Sequence, residues 1–189
     1  MDSLSTLFDS PQRVKLLRLF VFNRNEAFAL SEITKRTRIA SDLARKEIDR
    51  LIKAGFVRES AQARITHYRL DLRSTHTEAL SAFIRSTTTI APSVLLGRLK
   101  RAGTLRLAIL SGVFTGVSES GIDLLVVGER LNERVLAKVT QTIEAELGRE
   151  IRYASFSVED FNYRLGIYDR LIRDVLDYPH QILLDRIGL

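Results

Sequence analysis

Residues 30–68 read LSEITKRTRIASDLARKEIDRLIKAGFVRESAQARITHY and carry the densest set of structural signals in the chain. Ser31 and Ser41 are residue types that cap helix N-termini, so the sequence predicts a short helix after Ser31 and a longer one after Ser41. Gly55 is expected to end the second helix in a left-handed conformation. Runs rich in β-branched and aromatic residues flank the turn at 59–64, which predicts an antiparallel hairpin.

The second predicted helix has an apolar face and a charged face. Its apolar residues recur at helical spacing and are expected to face a core; they are Ala44, Ile48, Leu51 and Ile52. Its charged residues fall largely on other faces; they are Arg45, Lys46, Asp49, Arg50 and Lys53. An ordinary solvated surface helix has the same pattern, so the charged face alone does not define a function.

Helix, turn, helix and basic hairpin follow one another in the order of a winged helix-turn-helix domain. The segment IDRLIKAGFV at 48–57 resembles the end of the second helix in ArsR-like and MarR-like winged-helix regulators. This resemblance implies a DNA-binding domain over residues 1–72, with the second helix in the major groove and the hairpin on the backbone. The DNA-contacting residues that it implies are Ser41, Asp42, Arg45, Lys46 and Arg50 on the helix, and Arg58, Arg64 and His67 on the hairpin.

The composition is that of an ordinary globular protein. The chain has 189 residues, enough for one large domain or two small ones, and is 45% hydrophobic and 28% charged. It has no cysteine, which excludes disulfides and thiolate metal sites. The N-terminus lacks the order of a signal peptide and no apolar run reaches the length of a membrane span. We therefore expect a cytoplasmic location and no membrane partner.

The positive charge of the chain is concentrated in its N-terminal part. Residues 1–75 hold 15 Lys and Arg against 9 Asp and Glu, a net of +6, and the remainder holds 14 against 14. The whole formal excess of +6 therefore lies in the segment with the helices and the hairpin. An excess of this kind indicates a polyanionic partner, and with the predicted domain it favours double-stranded DNA.

The segment 73–103 is predicted to be a helical connector. The β-branched run at 87–90 and the following Pro92 are expected to break it into two helices. Apolar residues on both parts are predicted to supply the surface of a homodimer; they are Leu80, Phe83, Ile84, Leu95 and Leu99. Two-fold symmetry would let a dimer bind two half-sites on DNA.

From residue 104 to 189 strands and helices alternate, which predicts an α/β domain and makes the fold class of the whole chain α/β. SGVFTG at 111–116, GIDLLVVG at 121–128 and the tail with GREI and SVEDF resemble the minimal nucleotidyltransferase fold of the DNA-polymerase-beta superfamily. The resemblance implies a small mixed sheet. In active members a Gly-Ser pair holds phosphates, and three carboxylates bind two magnesium ions that activate the attacking oxygen.

This sequence departs from the active pattern at each point. The Gly-Ser pair is reversed to Ser111-Gly112, Gly121 stands where the first acid is expected, and the third strand offers Arg152 and no carboxylate. Only Asp123 remains of the three acids. We therefore expect a catalytically inactive domain with no metal site and no cofactor. Ser111, Gly112 and Asp123 stay candidates for binding a nucleotide or another small-molecule effector.

Three hypotheses follow from these patterns. The first is a sequence-specific transcriptional regulator with a degenerate nucleotidyltransferase-like domain for ligand sensing or assembly. The second is an active nucleotidyltransferase, for example the antitoxin half of a toxin–antitoxin pair, and the incomplete carboxylate set speaks against it. The third is a protein-interaction module, and the basic excess of residues 1–75 speaks against that.

Overall fold

The chain is a mixed α/β protein with two small sheets. The structure is a computed structural model and describes residues 3–62, 65–115 and 121–189. It divides into two compact units. The first unit comprises Met1–Thr89 and Gln141–Arg149, and the second comprises Ile90–Thr140 and Glu150–Leu189. These bounds differ from the predicted segments 1–72, 73–103 and 104–189, because the connector is divided and a short segment returns to the first unit.

The first unit is mainly helical with one three-stranded sheet. Its elements are α1 (Ser3–Leu7), α2 (Pro11–Phe22), β1 (Phe28–Ala29), α3 (Leu30–Thr37), α4 (Ser41–Lys53), β2 (Val57–Gln62), β3 (Ile65–Leu70) and α5 (Thr77–Thr87). The sheet order is β1-β3-β2 and both pairings are antiparallel. The predicted hairpin is therefore confirmed, and a short strand before α3 extends its sheet.

The two predicted serine caps are wrong. The N-cap residues of α3 and α4 are Ala29 and Ala40, so Ser31 and Ser41 lie inside the first turns of their helices. At α3 the cap works through Glu32, whose Oε2 accepts a hydrogen bond of 2.8 Å from the Ala29 N–H. A carboxylate in the first turn satisfies an orphan donor and also favours the helix dipole, so no serine is needed.

Gly55 ends α4 as predicted. Its φ is +69°, a conformation that only glycine adopts without strain. The Gly55 N–H donates to the Ile52 carbonyl and the Phe56 N–H donates to the Leu51 carbonyl, both at 2.9 Å. This pair of bonds is a Schellman motif, and it turns the chain sharply from α4 into β2.

One core lies under the helices of the first unit. Predicted core residues Ala44 and Ile48 of α4 are fully buried in it, together with the apolar face of α2. Ile84 of α5 also belongs to this core and has no exposed surface. Burial of this kind is the main source of the unit's stability.

The segment Gln141–Arg149 completes the first unit. The Arg18 side chain is 6% exposed and donates 3.0 Å from Nη1 to the Glu146 carbonyl. Asn23 donates 2.7 Å from Nδ2 to the Gly148 carbonyl. At Gly148, φ is +75° and a Cβ would lie 2.4 Å from the Arg18 carbonyl carbon, so only glycine fits. The segment is thus closely fitted against α2.

The second unit is built on a four-stranded mixed sheet. Its elements are α6 (Pro92–Leu99), β4 (Thr104–Leu110), β5 (Leu124–Glu129), the first half of α7 (Glu133–Leu147), β6 (Tyr153–Phe156), α8 (Val158–Gly166), α9 (Arg170–Asp177) and β7 (Gln181–Asp185). The sheet order is β6-β5-β4-β7, with β5 and β6 parallel and the other pairs antiparallel. A small mixed sheet was predicted for this part of the chain, and the structure confirms it.

The predicted dimer surface of the connector is mostly buried within the chain. Ile84, Leu95 and Leu99 have no exposed surface, and only Phe83 among the larger predicted residues is substantially open, at 39%. Ile84, Leu95 and Leu99 are therefore not an open surface for a second chain, and the homodimer itself stays a prediction. The neighbouring Val94 is 47% exposed.

Within the described residues no single helix is long and apolar enough to cross a membrane; only Thr77–Thr87 and Pro92–Ala102 together, bent by 65°, meet the length and composition criteria.

Candidate nucleic-acid interface

Helix α4 presents its charged face to solvent. The predicted contact residues Ser41, Asp42, Arg45 and Lys46 are all exposed, whereas Ala44 on the opposite side has no exposed surface. This follows from the helical period, since positions 44, 48 and 51 share one stripe and positions 42, 45, 46 and 49 share the other. The structure thus brings these four predicted residues together on the first two turns of one helix.

Arg45 and Lys46 are not engaged in ion pairs with any described residue. Two exposed cations without an ion-pair partner in the described part of the chain keep their charge available for a phosphate or a base edge. Arg45 and Asp49 also lie near Tyr68 on β3 of the hairpin. Burial, followed by the charge of nearby Glu59, raises the pKa of Tyr68. The charge of Arg45 lowers the pKa of the Tyr68 hydroxyl and the charge of Asp49 raises it.

Arg50 is occupied differently from the prediction. Its Nη1 lies 2.5 Å from Oε1 of Glu47, and the other oxygen of Glu47 accepts 2.8 Å from Nε of Arg13 on α2. The Glu47 side chain is only 9% exposed. A carboxylate held between two guanidinium groups fixes α4 against α2. Arg50 therefore serves first to neutralise this buried acid, and its other guanidinium face is open to solvent.

The hairpin places its predicted basic residues on one side of the sheet. Arg58 on β2 and His67 on β3 are half-buried, and the Nδ1 of His67 lies 3.1 Å from the Ile65 carbonyl oxygen. Arg58 approaches Asp71 only to 3.9 Å, so it is weakly paired. The predicted contact Arg64 lies outside the described residues.

The second unit contains the remaining predicted site residues at the end of β4 and the start of β5. Asp123 is 1% exposed in its side chain and accepts four hydrogen bonds. Its Oδ1 accepts from the Val113 N–H at 2.9 Å and from Arg152 Nη2 at 3.0 Å. Its Oδ2 accepts from the Arg152 backbone N–H at 2.8 Å and from Nε at 3.1 Å. The bond to Asp123 raises the pKa of the Arg152 guanidinium.

Ser111 and Gly112 are packed against the same carboxylate. The Ser111 side chain is fully buried and its Oγ donates 2.6 Å to the Ile122 carbonyl. Gly112 has φ +51°, and a Cβ there would lie 2.1 Å from Oδ1 of Asp123. The three residues lie together, but their side-chain polar groups already have partners: the Ser111 hydroxyl bonds to Ile122, and the Asp123 carboxylate bonds to Val113 and Arg152. Ser111 and Asp123 are therefore buried and offer no exposed surface to a nucleotide.

A metal ion has no prepared site in the part of the chain that the structure describes. No group of three or more His, Asp or Glu side chains is placed there to hold one. At Asp123 the donors already saturate both oxygens, and a divalent ion would have to displace a guanidinium group to bind.

Two residues of this surface were missed by reading the sequence. Glu47 lies one position before Ile48 on the edge of the apolar stripe, so its helical position was a usable signal for burial. Arg69 lies directly opposite Arg58 in the hairpin register, which a period-two reading of both strands could have shown.

Comparisons with known proteins add no relative: no family model matches the chain, and neither a curated protein nor a solved structure is significantly similar to it.

Proposed function

We propose that the chain is a sequence-specific DNA-binding transcriptional regulator whose first unit acts as a winged helix-turn-helix. The observation that carries the proposal is the pair Arg45 and Lys46, exposed on α4 and free of acidic partners among the described residues, beside an antiparallel hairpin with further cations. In a winged helix the second helix enters the major groove, where an arginine can bind the edge of a guanine. The net charge of +6 over residues 1–75 supports binding to a duplex.

In this proposal the ends of α4 have different roles. Arg45 and Lys46 on the first two turns read bases, and Ser41 and Asp42 border the same groove. Arg50 is tied to Glu47 on the following turn and contributes mainly charge. Arg58 and His67 approach the backbone beside the groove, as hairpins of this class do.

A salt titration tests duplex binding. We expect log K for the preferred duplex to fall linearly with log salt, with a slope of roughly −0.9 for each neutralised phosphate. The preferred duplex is obtained by selection from random-sequence DNA, and binding is measured by fluorescence anisotropy. Affinity that is unchanged between low and high salt would refute the proposal.

A pair of variants on α4 separates base reading from charge. Arg45→Ala is expected to cost about 1–3 kcal/mol on the preferred duplex and less on a random one, because a base contact is lost only on the preferred site. Lys53→Ala removes the same charge at the far end of α4 and is the matched control. It is expected to weaken both duplexes equally. An equal loss on both duplexes for Arg45→Ala would assign that residue to phosphate contact only.

We further propose that the second unit is a nucleotidyltransferase-like domain without activity. Asp123, the one acid that remains of the expected three, is fully bonded to Arg152 and two backbone N–H groups. Two metal ions need several carboxylate oxygens on one open face. The Asp123 carboxylate is buried, and the other two acids of the expected set are replaced by Gly121 and Arg152. The alternative of an active nucleotidyltransferase is therefore not favoured by the site.

Nucleotide transfer is tested directly. With Mg²⁺ or Mn²⁺ we expect no incorporation of label from ATP, GTP, CTP or UTP into protein, RNA or small acceptors. A Cβ added at Gly121 would lie 3.7 Å from Oδ2 of Asp174, which is an ordinary van der Waals contact, so the position accepts a Cβ. Activity appearing in Gly121→Asp combined with Arg152→Asp would support the loss of acids as the cause. Wild-type incorporation that Asp123→Ala abolishes would refute the proposal.

The role left for the second unit is effector sensing or assembly of a homodimer. A cavity of about 270 Å³ between α8 and α9 is lined by Leu165, Gly166, Tyr168, Asp169, Ile172 and Arg173. Its volume is just below the usual range for small-molecule sites. It offers a more open position for a small effector than the packed residues Ser111 and Asp123.

A further inference from the structure

The outward face of the β2–β3 hairpin carries two arginines in direct opposition. Arg58 pairs with Arg69 in the antiparallel register, and the next pair on that face is Ser60 with His67. Side chains directly opposite each other in such a pair have Cβ atoms about 4.5–5.5 Å apart. The alternate pairs face the other way, where Val57 and Leu70 are buried. The outward face is therefore a row of donors with no carboxylate among these four residues.

Two like charges at this spacing destabilise a strand pair unless an anion lies between or beside them. The described acid near them is Asp71, but its Oδ1 is 3.9 Å from Nε of Arg58, and the same oxygen accepts 3.1 Å from the Arg73 N–H. This carboxylate therefore neutralises the pair only weakly.

The second arginine adds an independent sign of a missing partner. The Nε of Arg69 is buried and has no hydrogen-bond partner among the described residues. Buried donors are almost always bonded, and those without a partner on the protein point to a water or an ion that satisfies them. Arg69 is not among the residues proposed above to contact the duplex.

We infer that Arg58 and Arg69 form a phosphate-binding site on the outward face of the hairpin. Guanidinium groups bind phosphate oxygens through paired, parallel N–H donors, and Ser60 supplies a hydroxyl on the same face. The phosphate group belongs either to a nucleic-acid backbone or to a small molecule. For a nucleic-acid backbone the inference rests on the proposed function, which already places Arg58 beside the groove, and adds Arg69 to that contact. For a small phosphate compound it goes beyond that function, because such a ligand does not require α4 to read a groove.

The test follows the Arg69 side chain by nuclear magnetic resonance of the full chain labelled with ¹⁵N-arginine. The Nε–H signal is assigned from its disappearance in Arg69→Lys. One arm titrates inorganic pyrophosphate and the other a short duplex. A shift of this signal with the duplex alone assigns the site to the nucleic-acid backbone, and a shift with pyrophosphate assigns it to a free phosphate compound. No shift in either arm overturns the inference.

Variants give the affinity readout. In the arm that shows binding, Arg58→Gln and Arg69→Gln are each expected to weaken it about tenfold, as loss of a charged hydrogen bond predicts. Arg69→Lys should fall between, since lysine keeps the charge and loses the paired geometry. Arg101→Gln removes an exposed arginine from the second unit and is expected to change nothing. An Arg69→Gln variant that keeps its fold and binds like Arg101→Gln would overturn the inference.

The two arms separate this inference from the proposed function. If wild-type protein binds no duplex under any salt condition, the regulator proposal fails while the pyrophosphate arm still decides the site. If duplex is bound with the expected salt dependence but Arg69 is silent in both arms, the inference fails and the regulator proposal stands.

Discussion

Replacing the buried carboxylate of the second unit by an amide tests how that unit is held together. Asp123→Asn keeps the shape of the side chain and replaces one oxygen by an NH₂ group. If the amide nitrogen takes the place of Oδ2, it faces the Arg152 backbone N–H and Nε, which are both donors. If it is flipped, it faces the Val113 N–H and Arg152 Nη2, which are donors as well. Neither orientation satisfies the site.

The expected cost follows from these four bonds. An unpaired buried backbone N–H costs about 1–3 kcal/mol. The Arg152 side chain is 52% exposed, so water takes over part of its lost bond and its share is smaller. Together these losses lower the free energy of unfolding of the second unit by about 2–4 kcal/mol.

Urea unfolding of the full chain, followed by circular dichroism and by amide exchange of β5, measures this change. The matched control is Glu129→Gln on the same sheet, where the ion pair with Arg106 is 2.8 Å long but the acid is 54% exposed. We expect the control to cost less than about 1 kcal/mol, as exposed pairs do. An Asp123→Asn loss no larger than that of the control would refute the role of the carboxylate.

Three further predictions concern the remaining parts of the chain. Gly148→Ala is expected to destabilise the first unit by about 2–5 kcal/mol in urea unfolding, because its Cβ would meet the backbone of α2 and its φ is positive. The control is Gly97→Ala on an exposed helix face with open space, which should stabilise the chain by about 0.5–1 kcal/mol. Backbone N–H groups at 187–189 lower the pKa of Asp185, so the turn that they form is stabilised above the ordinary pKa of the carboxyl and should loosen as pH falls through the lowered value; the protection of these amides, measured relative to their intrinsic exchange rate at each pH, should fall at acid pH and should be low at all pH values in Asp185→Asn. If two chains associate through the connector, they must use its exposed residues, so Phe83→Glu with Val94→Glu should convert a dimer to a monomer in light scattering, and an unchanged mass would place the interface elsewhere.

Local signals in the sequence predicted local structure well. The left-handed conformation of Gly55 depends on neighbouring backbone atoms, and it was readable from residue type. The order of strands and helices was readable for the same reason. The serine caps failed because both helices begin before the expected cap position, with Ala29 and Ala40 as the N-cap residues, and because Glu32 supplies the capping oxygen at α3.

Features that depend on distant residues were not readable. The burial of Glu47 requires Arg13, and the saturation of Asp123 requires Arg152, in each case a partner many positions away. An apolar helix face predicts that the face is buried. It does not indicate whether the same chain or a second copy of the chain buries it. For this reason Leu95 and Leu99 were predicted to join two chains and are instead buried within one.

The way that Gln141–Arg149 completes the first unit has a consequence for the order of events during synthesis. Arg18 and Asn23 leave the ribosome early, but their partners on Glu146 and Gly148 are made only after residues 90–140. The first unit therefore cannot reach its final packing while it alone has emerged, although domains generally fold in the order of translation. A nascent chain stopped before residue 141 should expose the face of α2 that carries Arg18. This face is then accessible to chaperones that bind incompletely folded chains.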